Sequence, residues 1–275
     1  MILLVDIGNA SLKWAYLEDG RFETGGALPR KDRETRDLAK QAWGAIDPPE
    51  RVLVANVAGE RVRRSLTAWM SRHWKVSPEF PVSDSAACGV RNGYREPAQL
   101  GIDRWAAMLA ARSLVKGPVC VVDCGTAITL DVVDTGGMHR GGLIVPGVRL
   151  MRTALSQGTA GIPEFPMEDP LKEDASLLAT NTANAVFGGT LYAAVALIDR
   201  VSADLRAELG ASLAVVITGG DAPDLLPLLA SKPRHEPDLV LRGLALLATT
   251  TKTGQGKCRE SSAAKQESLD LAASG

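Results

Sequence analysis

An excess of charge of one sign is missing from this chain. Its 275 residues carry 31 Lys and Arg against 32 Asp and Glu, a formal net charge of −1. A protein built to grip a polyanion carries a basic excess, so no nucleic-acid partner is expected. Cysteine is scarce. The four, Cys88, Cys120, Cys124 and Cys258, form no CxxC pair and no dense framework, which fits a reducing compartment better than a disulfide scaffold. Asp6 follows the first apolar residues at once, with no basic segment before them, so no secretory signal is expected. No apolar run approaches the ~18–20 residues that span a bilayer. A cytoplasmic protein without a membrane partner is the expectation. Common site signatures are missing too. There is no GxxxxGK[ST], and no GxGxxG follows a strand. Gly254-Gln255-Gly256-Lys257-Cys258 lacks both the spacing and the preceding strand. His73, His139 and His235 are scattered without HExxH spacing and read as surface or structural residues. No Ser/His/Asp triad can be placed.

What is present is a repeat. Hydrophobic residues make up 45% of the chain, enough for a sizeable core. Ile2-Leu3-Leu4-Val5-Asp6 reads as a short buried strand ending in a carboxylate. The loop Ile7-Gly8-Asn9-Ala10 follows, then a strand from Ser11 to Leu17, an Asp19-Gly20 hairpin signal and a further extended piece through Phe22. The same order returns later. Val119-Cys120-Val121-Val122-Asp123 is a strand, Cys124-Gly125-Thr126-Ala127 a loop, Ile128 to Val133 a strand, Gly136-Gly137 a turn, and Met138 to Ile144 a returning strand. Gly137 stands as far beyond Asp123 as Gly20 stands beyond Asp6. Two such units on one chain imply a duplicated fold.

The remainder alternates. Helical periodicity covers 34–46, 60–74, 99–115, 148–155, 183–209 and 239–248, with strands at 51–57 and 213–218. Gly210 is placed to cap the long helix. This order predicts an α/β fold. The expected division is an N-terminal lobe at 1–115, a C-terminal lobe at 116–250 and a polar, flexible tail at 251–275.

A glycine directly after a buried strand lets the backbone approach a ligand, and successive amides there form an anion-binding concavity. Gly8-Asn9 and Gly125-Thr126 both offer this, yet each follows an aspartate, which repels phosphate. The conflict disappears if a divalent cation lies between them. Two such hairpins facing one another would hold a Mg²⁺-nucleotide in a cleft between the lobes, with Lys13 adding positive charge. One aspartate–glycine loop alone is an ordinary turn; two copies at the same offset favour phosphate binding. Thr218-Gly219-Gly220-Asp221 adds a flat close-approach surface or a plain strand-to-helix turn. Asp103, near the start of a helix, reads equally as a helix-dipole partner or as the base of a kinase. Arg104 could bind an acidic substrate, and Tyr94 on the turn just upstream could wall the same pocket. Cys120 and Cys124 share one strand face and read as small core residues.

These residues carry a resemblance. Asp6-Ile7-Gly8-Asn9 with Lys13, and Asp123-Cys124-Gly125-Thr126-Ala127-Ile128-Thr129, resemble the two phosphate motifs of the acetate and sugar kinase/heat-shock chaperone/actin superfamily. Gly101-Ile102-Asp103-Arg104-Trp105, Gly141-Gly142-Leu143-Ile144-Val145-Pro146-Gly147 and Thr180-Asn181-Thr182-Ala183-Asn184-Ala185 narrow the resemblance to type III pantothenate kinase. It covers about residues 1 to 250. The implied fold is two similar lobes of the actin-like ATPase (ribonuclease H-like) type with an interlobe nucleotide cleft.

The implied activity is ATP-dependent phosphorylation of pantothenate to 4′-phosphopantothenate, the first step toward coenzyme A. By the same resemblance, Asp6, Ile7, Gly8, Asn9, Ala10, Ser11, Leu12 and Lys13 contact ATP phosphates, with Asp6 near Mg²⁺. Thr126 contacts ATP, and Asp123 binds a monovalent cation, K⁺ or NH₄⁺. Asp103 is the general base within the substrate stretch Gly101, Ile102, Asp103 and Arg104, while Tyr94 and Thr182 line the pantothenate pocket. A homodimer is implied, with pantothenate near the subunit interface. The rival readings are another small-molecule kinase of the superfamily, an actin-like nucleotide switch, and a transcription accessory factor. The balanced charge counts against the last.

Overall fold

The computed structural model describes residues 1–162 and 178–250. The expected tail at 251–275 lies outside the described residues. In chain order the elements are β1 (Ile2–Ile7), β2 (Ser11–Glu18), β3 (Arg21–Pro29), α1 (Thr35–Trp43), β4 (Arg51–Asn56), α2 (Glu60–His73), β5 (Ala86–Ala87), β6 (Val90–Arg91) and α3 (Ile102–Leu114). There follow β7 (Val119–Cys124), β8 (Ala127–Val133), β9 (His139–Pro146), α4 (Val148–Gly158), α5 (Thr182–Leu209), β10 (Ala214–Thr218), α6 (Ala222–Leu225), β11 (Arg234–His235) and α7 (Leu239–Thr250). The chain splits into two compact units. One holds Met1–Lys116, Val133–Gly141 and the segment from Asp238 on; the other holds Gly117–Val132 and Gly142–Pro237.

In the first unit the sheet order is β3-β2-β1-β4. β1 runs antiparallel to β2, pairing Asp6 with Lys13, and parallel to β4, pairing Ile2 with Arg51. Asp19 (φ 49°) and Gly20 (φ 80°) both adopt left-handed backbone, as a two-residue hairpin between twisted strands requires. α1 buries Leu38, Ala39 and Trp43, and α2 buries Val62, Leu66 and Met70 in a single stripe. Both stripes close on Leu3, Val5, Ile7, Leu12, Val52 and Val54 of the sheet. Truncating a buried leucine such as Leu66 to alanine would cost about 2–5 kcal/mol.

α3 is buried almost all round, from Ile102 through Ala111 apart from Asp103. It therefore needs a second cover, which α7 supplies. The two cross at Gly243, where a Cβ would overlap the Ala106 carbonyl oxygen. The helix expected from Gln99 begins only at Ile102. Pro97–Gln99 forms a separate 3₁₀ turn, and extended backbone at Leu100 and Gly101 breaks the run. That break puts Asp103 in the first helical turn.

The second unit holds most of a five-stranded sheet, ordered β11-β10-β7-β8-β9. Read from β9, its β9-β8-β7-β10 order repeats β3-β2-β1-β4, so the duplication legible in the sequence is a duplication of topology. β10 lies parallel to β7 and pairs Thr218 with Asp123. Cys120 and Cys124 sit on the same buried face with Val122 between them in sequence and in the core. Burial pushes the Cys120 thiol up to about 12 and raises Cys124 as well, so both are inert packing groups.

α5 overtakes the expectation that no apolar run is long enough to cross a membrane. Over an 18-residue window its mean hydropathy is 1.3, sufficient by length and composition alone. In the described structure one face of it is buried. Val186, Phe187, Thr190, Ala194, Ile198 and Ser202 form one buried stripe, and Ala194 and Ile198 join the sheet core. Asn181 caps its start by accepting the Asn184 N–H at 2.9 Å, and Gly210 (φ 94°) ends it.

Candidate active site

The first loop follows from strand parity. Along β1 and β2, Ile7 and Leu12 turn into the core, fully buried, while Asp6, Ser11 and Lys13 stay half-buried. Of the residues expected to meet phosphate, Ile7 and Leu12 therefore contribute main chain only. Asn9 and Ala10 are exposed at the tip. The Gly8 N–H donates to the Ser11 carbonyl at 3.1 Å and closes the turn. A Cβ on Gly8 would meet nothing within 4 Å, so its missing side chain leaves open space where a ligand can approach. Arg30, just beyond β3, donates from its backbone N–H to the Ala10 carbonyl at 2.8 Å and from Nη1 to the Gly8 carbonyl at 2.6 Å.

A second group lies in the same unit. Asn92 ties its loop down, with Nδ2 donating to the carbonyls of Asp84 at 3.1 Å and Pro97 at 3.2 Å. Its Oδ1 accepts the Tyr94 N–H at 3.0 Å. Tyr94 in turn stacks on the buried His139 ring, centroids 5.8 Å apart at 13°. Arg104, only 8% exposed, donates from Nη1 to the Tyr94 hydroxyl at 3.0 Å. Asp103, half-exposed beside it, accepts the Arg104 N–H on Oδ1 at 2.8 Å. The structure thus brings Tyr94, Asp103 and Arg104 together from segments that sequence spacing could link only loosely. A buried guanidinium held against a phenol is suited to receive a carboxylate.

The second loop lies at the carboxyl ends of β7 and β10, where open parallel sheets bind ligands. Asp123 is half-buried and Thr126 exposed. The Gly125 N–H donates to the Ala127 carbonyl at 3.0 Å, and the Gly147 N–H to the Thr126 carbonyl at 2.9 Å. A side chain at Gly147 would overlap the Gly125 carbonyl oxygen and come within 2.7 Å of Thr126 O. Gly219 (φ 99°) packs against the same strand end, where a Cβ would lie 2.5 Å from Asp123 Oδ1. The Asp221 N–H donates to the Cys124 carbonyl at 2.9 Å. Thr218-Gly219-Gly220-Asp221 is therefore part of this loop cluster. Burial pushes the Asp221 carboxyl up, while Arg149, 3.7 Å away, opposes the shift.

Thr182 belongs to the other unit from the remaining expected substrate residues. It is exposed in the first turn of α5 and lines a 910 Å³ cavity with Met151, Leu155, Val186 and Thr190. Three further residues had no usable signal in the sequence. Arg30 reaches back 22 positions to Gly8. His139 reaches Tyr94 across the chain. Asn92 showed only as half of an Asn-Gly turn. Among the described residues no group of three or more His, Cys, Asp or Glu side chains could hold a metal ion. Mg²⁺ keeps its waters and takes phosphate oxygens in place of a protein cage, so a site with one protein carboxylate, such as Asp6, fits it.

Two copies of one hairpin sheet, each with an aspartate one residue before the end of its first strand and a glycine-bearing turn after it, define an α/β protein of the actin-like fold class. The comparisons narrow the class. The type III pantothenate kinase family matches residues 2–204. A Nitrosococcus oceani protein named type III pantothenate kinase is 47% identical over 256 residues, covering 91% of this chain and 95% of the relative. A Halorhodospira halophila protein of the same name is 36% identical over 249 residues, covering 89% and 96%. Among solved structures, a conserved Campylobacter jejuni protein assigned to the Baf family of transcriptional activators has a TM-score of 0.52 at 19% identity. It covers 91% of this chain and 99% of its own, and at that identity it attests the fold alone. The chain belongs to the type III pantothenate kinase family.

Proposed function

We propose that this protein transfers the γ-phosphoryl group of ATP to the primary hydroxyl of pantothenate, giving 4′-phosphopantothenate and ADP as the first step of coenzyme A synthesis in the cytoplasm. Beyond family membership, one observation carries the reading. The buried Arg104 guanidinium is fixed on the Tyr94 hydroxyl, and the half-exposed Asp103 carboxylate accepts the backbone N–H of the same arginine. An acceptor with a carboxylate at one end and a hydroxyl at the other suits that pair.

Phosphoryl transfer asks for in-line placement and charge neutralisation more than covalent help. Arg104 and Tyr94 hold the substrate carboxylate, with Gly101 and Ile102 as the adjoining main chain. Asp103 takes the proton of the attacking hydroxyl as its oxygen bonds to the γ-phosphorus and the bond to ADP breaks. Gly8 to Ser11 and Lys13 bind the phosphates, and Thr126 contacts ATP from its own loop. Asp6 would hold Mg²⁺, which, when bound, neutralises charge on the transferring group. Asp123, beside the carbonyl-rich turn at Gly125 and Thr126, would hold K⁺ or NH₄⁺; hard oxygen donors suit such a cation.

A homodimer is part of the proposal. Leu143, Ile144, Leu150, Leu155 and Tyr192 expose apolar surface on β9, α4 and α5, and a second copy is the proposed cover. Thr182, on the same helix as Tyr192, is then placed to serve a pocket near that interface. Sedimentation at the mass of one protomer would end the dimer proposal. The deciding experiment for the activity combines purified protein, MgATP, K⁺ and pantothenate, with the product identified by mass. A phosphorylated sugar or other acceptor in preference to pantothenate would overturn the substrate assignment.

A further inference from the structure

The duplication allows the two loops to be compared position by position. β3 ends at Pro29 and β9 at Pro146, and these prolines stand at the same offset from Asp6 and Asp123. In both copies the next residue ties down the residue just before the second strand, although the first loop is one residue longer. Arg30 N–H donates to the Ala10 carbonyl at 2.8 Å, and Gly147 N–H donates to the Thr126 carbonyl at 2.9 Å. In the second copy no side chain fits there. In the first copy the side chain is an arginine, and it turns back onto the loop.

We propose that Arg30 is a positioning residue of the first phosphate loop. Its Nη1 donates to the Gly8 carbonyl at 2.6 Å while its backbone holds Ala10, so one residue grips the carbonyls on either side of Asn9. A trans peptide points its C=O and the following N–H in opposite directions. With the Gly8 carbonyl drawn to Arg30, the Asn9 N–H is directed away from it, at the exposed tip. The grip also sets a permanent positive charge behind a loop whose flanking Asp6 would otherwise repel a triphosphate. Arg30 Nε is buried without a hydrogen-bond partner. A donor left so costs stability, a cost that the grip on the loop would offset. The inference rests on the proposed use of this loop for ATP phosphates and adds a residue to it.

The test measures MgATP binding by calorimetry and steady-state kinetics in Arg30→Ala, Arg30→Gln and Arg30→Lys. Losing a charge-assisted bond predicts about ten-fold weaker MgATP binding and a matching rise in KM for ATP in Arg30→Ala and Arg30→Gln. Arg30→Lys, which keeps the charge and one donor, should recover part of the loss. KM for pantothenate should stay within about two-fold of wild type. MgATP affinity unchanged in Arg30→Gln would overturn the proposal. Equal rises in both KM values with a lowered melting temperature would reduce Arg30 to a structural role and overturn it too. If Arg30→Ala does not fold, the Gln and Lys variants decide. A wild type that binds MgATP without phosphorylating pantothenate would sink the substrate assignment and leave the Arg30 test intact.

Discussion

The two hairpin loops share a strand order but not a backbone: Gly8 to Ala10 form the first and only Gly125 and Thr126 the second, and they differ in the residue that stands behind them. In the first, a charged side chain draws the Gly8 carbonyl back while the backbone N–H of the same residue holds the Ala10 carbonyl, leaving main-chain N–H at the tip. In the second, glycine lets the neighbouring strand end press against the turn, and Gly219 crowds in from β10. Carbonyl oxygens and the carboxylates of Asp123 and Asp221 then accumulate at one strand end. On the proposed function the same repeat serves an anion at one loop and a cation at the other, with Arg30 behind the first and Gly147 behind the second. This fits the proposed division of labour, with phosphates and Mg²⁺ at the first and a monovalent ion at the second.

The largest expected effect separates the grip of the loops from the chemistry. Asp103→Asn should lower kcat by about 10²–10⁴-fold while MgATP affinity is kept; unchanged kcat would remove Asp103 as the base. Next comes the loop that tolerates no side chain. Gly147→Ala forces a methyl into the Gly125 and Thr126 carbonyls, and a loss of about 1–3 kcal/mol is expected in a denaturant melt. A wild-type melt would mean that the two loop backs are interchangeable. A third test addresses the cation. Replacing K⁺ by Na⁺ should slow the wild type, and Asp123→Ala should abolish that difference; equal wild-type rates in both salts would detach Asp123 from the role.

The smallest effect concerns Asp221. Its carboxyl is raised in the folded state, chiefly by burial, so the folded protein binds its proton more tightly than the unfolded chain does. The resulting stabilisation is complete below the unfolded value of about 4 and is lost as pH rises through the folded value. Asp221→Asn should therefore be slightly more stable than wild type at neutral pH, with the gain vanishing below pH about 4. A gain that grows on acidification would contradict the burial argument.

Much of this was legible because the signals were local. Asp6 with Gly20, and Asp123 with Gly137, exposed the repeat, whereas the burial that separates Leu12 from Lys13 came only with the structure. The site residues that escaped were those whose role depends on distant neighbours. Nothing near Arg30 in sequence shows that its guanidinium returns to Gly8, and nothing near His139 shows Tyr94 stacked on it. Helix ends were missed where a competing turn intervened, as at Pro97. Two-residue pairings such as β5 with β6, and β11 against β10, are too short for any periodicity to register.

The seam between α3 and α7 constrains how the molecule is made. α3 needs cover on nearly every side, and part of that cover is the last described helix, Leu239–Thr250. On the ribosome, the unit whose strands emerge first therefore stays unfinished until Leu239–Thr250 has been translated. A nascent polypeptide halted before residue 238 would show the Ala106 side of α3 to chaperones and proteases. For this protein, early synthesis and early completion are different events.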